Sequence, residues 1–133
     1  MSLTPARCIR SSKAVVSRAR LNLLLETTHL PISYCFNTGS AHLAGGVTAE
    51  FEAMRSRIRL VHLNDNGGDE DSRRAPLVEE GGTIDWQDVV AALRTLPGGT
   101  PWVMDLIEDP ERAKPVEIAS DSFSRLEDLL AHD

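Results

Sequence analysis

A parallel α/β fold is what this sequence predicts, and three observations predict it. Four short apolar runs, at residues 21–25, 32–36, 58–63 and 102–107, alternate with amphipathic stretches, the pattern of strands joined by helical crossovers. The chain has 133 residues, enough to bury one core and too few for two, or for an ordinary single-chain (β/α)₈ barrel of roughly 200 residues or more. Its composition, 41% hydrophobic and 26% charged with 9 Gly and 7 Pro, is that of a folded soluble protein. Aromatic residues are only 5%, so the core is mostly aliphatic.

The first twenty residues contain Arg7, Arg10, Lys13, Arg18 and Arg20 and no acid. Such a start also occurs in organelle transit peptides. Here Thr4 followed by Pro5 offers an N-cap and a proline at the first helical position, so 1–20 reads as a basic N-terminal helix ahead of a single domain over 21–133. Residues 21–25, Leu-Asn-Leu-Leu-Leu, are too few for a convincing helix and end in Glu26-Thr27-Thr28; they read as a buried strand. Residues 32–36 form a second strand, stopped by the turn-like Asn37-Thr38-Gly39-Ser40.

Phe51, Met54 and Ile58 then fall at helical spacing and predict a surface helix over 48–57. The third run, 58–63, is interrupted by Arg59 and His62 and enters a polar segment, 64–82, containing Asp69, Glu70, Asp71, Arg73 and Arg74. That segment reads as a solvated, mobile loop of the length at which function often concentrates. Asp85 caps a helix whose apolar side is Trp86, Val89, Val90, Leu93 and Leu96, closed by Pro97-Gly98-Gly99. Residues 102–107 give the fourth strand, and Phe123, Leu126, Leu129 and Leu130 mark a last helix.

The formal charge of −6 argues against a nucleic-acid binder, because affinity for phosphate backbones needs clustered Lys and Arg. Cys8 and Cys35 make neither a multi-bridge framework nor a metal-ligand spacing. No apolar run approaches the roughly 20 residues of a membrane helix. A soluble, reduced, cytoplasmic protein is expected. In parallel α/β sheets ligands bind beyond the carboxyl ends of the strands, and the four runs end at Glu26, Asn37, His62 with Asp65, and Asp105. Carboxylate, amide, imidazole and carboxylate converging on one point would suit a divalent Mn²⁺, Mg²⁺ or Zn²⁺ ion.

Three ordered segments carry a family resemblance. Asn37-Thr38-Gly39-Ser40-Ala41-His42-Leu43-Ala44-Gly45-Gly46 resembles the D-T-G-H-A-H-L-A-G-G stretch of xylose isomerase-like barrels, the sugar-phosphate isomerase/epimerase superfamily. Arg57-Ile58-Arg59-Leu60-Val61-His62-Leu63-Asn64-Asp65-Asn66 is similar to the family's R-I-x-H-V-H-L-H-D-N strand, and Gly82-Thr83-Ile84-Asp85-Trp86 to its G-T-I-D-W helix start. The resemblance implies half of a TIM barrel: about four parallel βα units, with one helix deleted because only five residues separate Glu26 from Ile32. It further implies Glu26, Asn37, His62 and Asp105 as metal ligands, Glu26 and Asp105 as the paired catalytic acid/base groups of an epimerase, and His42 and Asp65 as candidates for contact with a sugar or sugar phosphate. His42 taken by itself reads as a surface or loop residue.

The departures from the family pattern are as informative. Asn37 stands where an aspartate is expected and binds a cation more weakly. Asp105 stands for a glutamate, and its reach is shorter by about 1.5 Å, one C–C bond. Ser40 replaces a histidine, and the loop expected to read D-x-H-x-P-P-G-E-G is here Arg74 to Gly82 without the histidine. The expected function is therefore that of a sugar isomerase/epimerase-like domain working by metal-assisted proton transfer, with its divalent ion bound weakly or lost and its activity low. The alternative is a non-catalytic half-barrel acting in assembly. The related AP endonuclease reading is disfavoured by the acidic balance and the scarcity of histidines. Four strands where eight close a ring leave two open edges, so a homodimer or other self-association is expected.

Overall fold

The computed structural model describes residues 7–10, 18–29, 31–107, 109, 111 and 114–132, with the backbone path alone for 7–10 and 18–22. In chain order the elements are β1 (Arg7–Arg10), α1 (Arg18–Thr27), β2 (Ile32–Asn37), α2 (Thr38–Ala44), α3 (Val47–Met54), a 3₁₀ turn (Arg55–Arg57), β3 (Ile58–Leu63), α4 (Trp86–Leu93), β4 (Trp102–Met104) and α5 (Pro115–Ala131). The four strands form one parallel sheet in the order β1-β2-β3-β4, so each crossover leads to the neighbouring strand, as in a singly wound barrel wall.

The register explains which side chains meet. Tyr34 pairs with Ile58, but Cys35 pairs with Leu60, which leaves Arg59 as an extra residue on β3. This bulge keeps Ile58 on the same side as Val61 although they lie three apart. On that side Tyr34, Phe36, Ile58, Val61 and Leu63 join Phe51, Met54, Trp86, Val89, Val90, Leu93 and Leu126 in one core, with Trp102 and Met104 packed against it. Phe36 and Phe51 meet edge to face with ring centroids 5.6 Å apart, a favourable aromatic geometry. The helices lie in sequence over this side of the sheet, α2 on α3, α3 on α4 and α4 on α5. By alternation along the strands, the opposite face carries Cys35 beside Leu60, Asn37 beside His62, and His62 beside Val103.

The two C-terminal helices follow their sequence signals. Asp85 caps α4 by accepting from the Gln87 and Asp88 N–H groups at 3.1 and 3.3 Å, and its expected apolar face is the buried one. In α5, Pro115 occupies the first turn and Leu126 is the most buried of the expected apolar residues. The helix expected near 48–57 is α3, ending three residues early because Ile58 opens β3. The fourth strand is shorter than expected, Trp102–Met104.

The N-terminal part corrects the sequence reading. Arg7–Arg10 is a strand, not part of a helix over 1–20, because it supplies the parallel partner that β2 needs on that side. Residues 21–25 are not a strand but lie inside α1: Arg, Ala, Leu and Glu are good helix formers, and no β-branched residue intervenes before Thr27. Among the described side chains of this run Leu25 is buried, while Leu23 and Leu24 are 60% and 43% exposed. No helix is missing between the first two strands, since α1 is that helix. Asn37 to Ser40 is likewise no simple turn: Asn37 is the N-cap of α2, its Oδ1 accepting the Ser40 N–H at 3.0 Å. Among the described residues no helix is long and apolar enough to cross a membrane.

Candidate functional site at the strand ends

The carboxyl ends of β2, β3 and β4 bring three of the four expected metal ligands to one end of the sheet. Asn37 and His62 are register partners, and Asp105 follows β4 directly, its N–H donating to the Leu63 carbonyl at 3.1 Å. The His62 Nδ1 lies 3.5 Å from Asp105 Oδ2, with both side chains about six-sevenths buried at 14% and 16% exposure. The other Asp105 oxygen is 3.8 Å from Arg73 Nη1, and Arg73 Nε donates to Asp71 Oδ2 at 3.2 Å. A row of ionisable side chains, His62–Asp105–Arg73–Asp71, thus runs across the strand ends. Arg73 reaches it from a left-handed backbone conformation, φ 43°, uncommon for a side-chain-bearing residue. Sequence reading counted Arg73 only among the charges of a solvated loop, and nothing in a run of mixed charges marks which one turns inward.

Glu26 is not part of this constellation. It sits in the last turn of α1, exposed, and its charge acts on Tyr34 together with that of Arg57. Tyr34 pairs with the first residue of β3, so Glu26 belongs to the amino ends of the strands, opposite His62 and Asp105. The physical reason is the correction above: a helix after β1 runs back antiparallel to it, and the residue at its C-terminus returns to the other end of the sheet. The seven residues that follow β1, Ser11 to Ser17, contain no acid to take its place.

Asp65, expected at the substrate, is spent on the scaffold. It is 3% exposed. Its Oδ1 accepts from the N–H groups of Asn66 at 2.7 Å, Thr83 at 3.2 Å and Ile84 at 3.2 Å, and its Oδ2 accepts the Trp86 indole N–H at 2.7 Å. Its backbone forms a bridge with Arg74, two hydrogen bonds of 2.8 Å. The segment 64–82 is therefore anchored at several points, with residues 67–70 and 80–82 left exposed to solvent between them. Asn64 and Asn66 are fully buried, Asn66 Nδ2 donates to the Gly39 carbonyl at 3.0 Å, and α5 holds the far side through Ser122 Oγ on Pro76 O at 2.6 Å. His42, on α2, shares a 2.8 Å hydrogen bond with Thr83 Oγ1 on the helix side of this knot.

These residues do not fit a divalent ion. Glu26 lies at the wrong end, the Asn37 oxygen is engaged by its own helix, and Arg73 already supplies a positive charge to Asp105. Among the described residues no three His, Cys, Asp or Glu side chains converge on one point.

Parallel strands in sequential order, helices over one face and polar residues at the strand ends define half of an α/β barrel. The chain shares this fold with part of two solved structures. A D-tagatose 3-epimerase-like protein matches it with a TM-score of 0.70 and 20% identity over 94% of this chain and 45% of that one. A candidate xylose isomerase from Rhodospirillum rubrum matches with a TM-score of 0.62 and 14% identity over 95% of this chain and 47% of that one. The chain thus spans somewhat less than half the length of either protein. No protein-family model matches the chain, and no curated protein does.

Proposed function

We propose that this chain is a sugar isomerase/epimerase-like half-barrel domain of the cytoplasm in which the strand-end site has become a row of closely spaced ionisable side chains, with efficient proton transfer lost. The observation that carries this reading is the Arg73 guanidinium beside Asp105, with His62 on the carboxylate's other side. Moving a proton between the two faces of a sugar carbon needs two acid/base groups flanking it. Here His62 and Asp105 stand together on adjacent strands, and Glu26 is at the other end of the sheet. Misplacement by about 1 Å can cost two orders of magnitude in rate, and this displacement is far larger.

Assays of the purified chain with ketohexoses, including D-tagatose, and with ketose phosphates, each with and without Mn²⁺, test the proposal. Metal-dependent turnover at rates ordinary for enzymes would refute it. Calorimetry supplies the second arm: Mn²⁺ binding is weak or undetectable in the native chain. The pair Asn37→Asp and Arg73→Ala, which restores a carboxylate and removes the competing cation, is expected to strengthen it. The reading as an assembly domain is favoured by a separate observation, the apolar Val103 of β4, which is 44% exposed.

A further inference from the structure

Arginines gather at the amino ends of the strands. Arg55, Arg57 and Arg59 occupy alternate positions where α3 gives way to β3, and Arg94 closes α4 before the chain turns toward β4. In a chain of formal charge −6 this is a local cationic rim, at the end of the sheet opposite His62 and Asp105. An open cleft of about 530 Å³ lies in it, lined by Arg55, Ser56 and Arg59 from the one segment and by residues 95–97 from the other, with Glu52.

The two cleft arginines are held differently. Arg59 is the extra residue that the bulge inserts in β3, and a bulge re-aims a side chain. Its Nη1 donates to the Ile58 carbonyl at 2.9 Å and to the Ser56 carbonyl at 3.4 Å. Neutral carbonyls fix the guanidinium without cancelling its charge, and among the described residues Arg59 forms no ion pair. Arg55 lies 3.5 Å from Glu52, with the two side chains 43% and 65% exposed. Such a pair contributes little, and an arriving anion can take the guanidinium from it.

We propose that this cleft binds a small phosphomonoester. The phosphate group carries a charge of about −1.5 to −2 at pH 7, and the planar donor fork of arginine matches its oxygens where a lysine would present only a point charge. Ser56, exposed beside the two guanidinium groups, adds a hydroxyl donor. The cleft is larger than a bare phosphate ion needs, and its volume falls within the roughly 300–1,000 Å³ of small-molecule sites. Leu96 and Pro97 give the organic part an apolar contact. The site shares no residue with Asn37, His62 and Asp105, so it stands apart from the catalytic reading.

Calorimetric titration of the full chain at low ionic strength tests the proposal, with ribose 5-phosphate as the probe. One saturable site is expected, weakened several-fold by about 0.2 M salt because the charges are exposed to screening. Inorganic phosphate binds more weakly, and ribose does not bind. Arg59→Ala should weaken ribose 5-phosphate about tenfold or more, and Arg59→Lys by less, since it keeps the charge and loses the fork. Glu52→Gln removes the competing carboxylate and should tighten binding, a gain that misfolding cannot imitate. Lys114→Gln removes one positive charge away from the cleft and should change nothing. Amide chemical shifts locate the ligand: those of Ser56, Arg59, Thr95 and Leu96 move on addition of the probe, while those of His62 and Asp105 stay. The proposal fails if ribose 5-phosphate shows no saturable binding, if the shifts centre on His62 and Asp105, or if Lys114→Gln harms binding as much as Arg59→Ala. Inorganic phosphate binding as tightly as the ester would equally overturn it, by making the free ion the ligand.

Discussion

Asp65 and Trp86 are joined across the long polar segment by a 2.7 Å hydrogen bond from the indole N–H to the carboxylate, with both side chains buried. The same carboxylate takes three backbone N–H groups, so one residue fixes the exit of β3, the close of the segment and the start of α4. Gly82 passes so near that a Cβ there would collide with the Asp65 carboxylate.

Removing this carboxylate should be among the costliest single changes. Asp65→Ala strands the buried N–H groups of Asn66 and Ile84 and the indole N–H, while the Thr83 N–H keeps its 2.9 Å bond to the Asn66 carbonyl, a loss expected at about 3–5 kcal/mol when unpaired buried donors are counted at 1–3 each and partial relaxation is allowed. Trp86→Phe keeps most of the ring and loses one donor, at about 1–3 kcal/mol. Urea unfolding followed by circular dichroism ranks the two, and an Asp65→Ala midpoint equal to the native one would remove Asp65 from its scaffold role.

Gly39 and Asn64 make a second coupled pair. A Cβ on Gly39 would run into Asn64 Oδ1 and come within 3.2 Å of Asn66 Nδ2. The Asn64 amide is buried with no hydrogen-bond partner on either atom among the described residues. Gly39→Ala is therefore expected to destabilise by about 1–3 kcal/mol through overpacking. Asn64→Leu, similar in shape and free of unmet polar groups, should be neutral or stabilising. In a double-mutant cycle, Asn64→Ala should recover part of the Gly39→Ala loss, since contacting residues couple by about 0.5–3 kcal/mol; strict additivity would contradict the packing described.

How much of this was readable from the sequence depended on whether a residue's role was local. Asp85 and the spacing of Trp86, Val89, Val90 and Leu93 declare α4 because cap and period lie within one element. Asn37, His62 and Asp105 are identifiable because strand ends follow from runs of apolar residues and from the family-like segments around them. The first twenty-five residues failed the same method. Four residues of Arg-Cys-Ile-Arg carry no alternation, and a leucine-rich run of five fits either period, so only the need of β2 for a partner decides between strand and helix. That one displacement moved Glu26 from the site to the far end of the sheet. Asp65 and Arg73 show the other limit: a carboxylate beside a ligand histidine and an arginine in a charged loop look alike in sequence, whether they face substrate, scaffold or solvent.

The single tyrosine of the chain offers a probe of that far end. Tyr34 is 1% exposed, and its phenol is held above its ordinary value of 10.0 chiefly by desolvation, with Arg57 lowering it and Glu26 raising it. A phenol whose folded pKa exceeds the unfolded one binds its proton more tightly in the native state. The native state is then favoured in full below pH 10.0, and that contribution falls as pH rises through the folded value, because the unfolded chain releases the proton first. Spectrophotometric titration at the tyrosinate band should show ionisation later than in the urea-unfolded chain. Glu26→Gln should bring the native transition down and Arg57→Gln should push it up. A phenol that ignores both substitutions would contradict the placement of Glu26 beside the amino ends of the strands and reopen its place at the strand-end site.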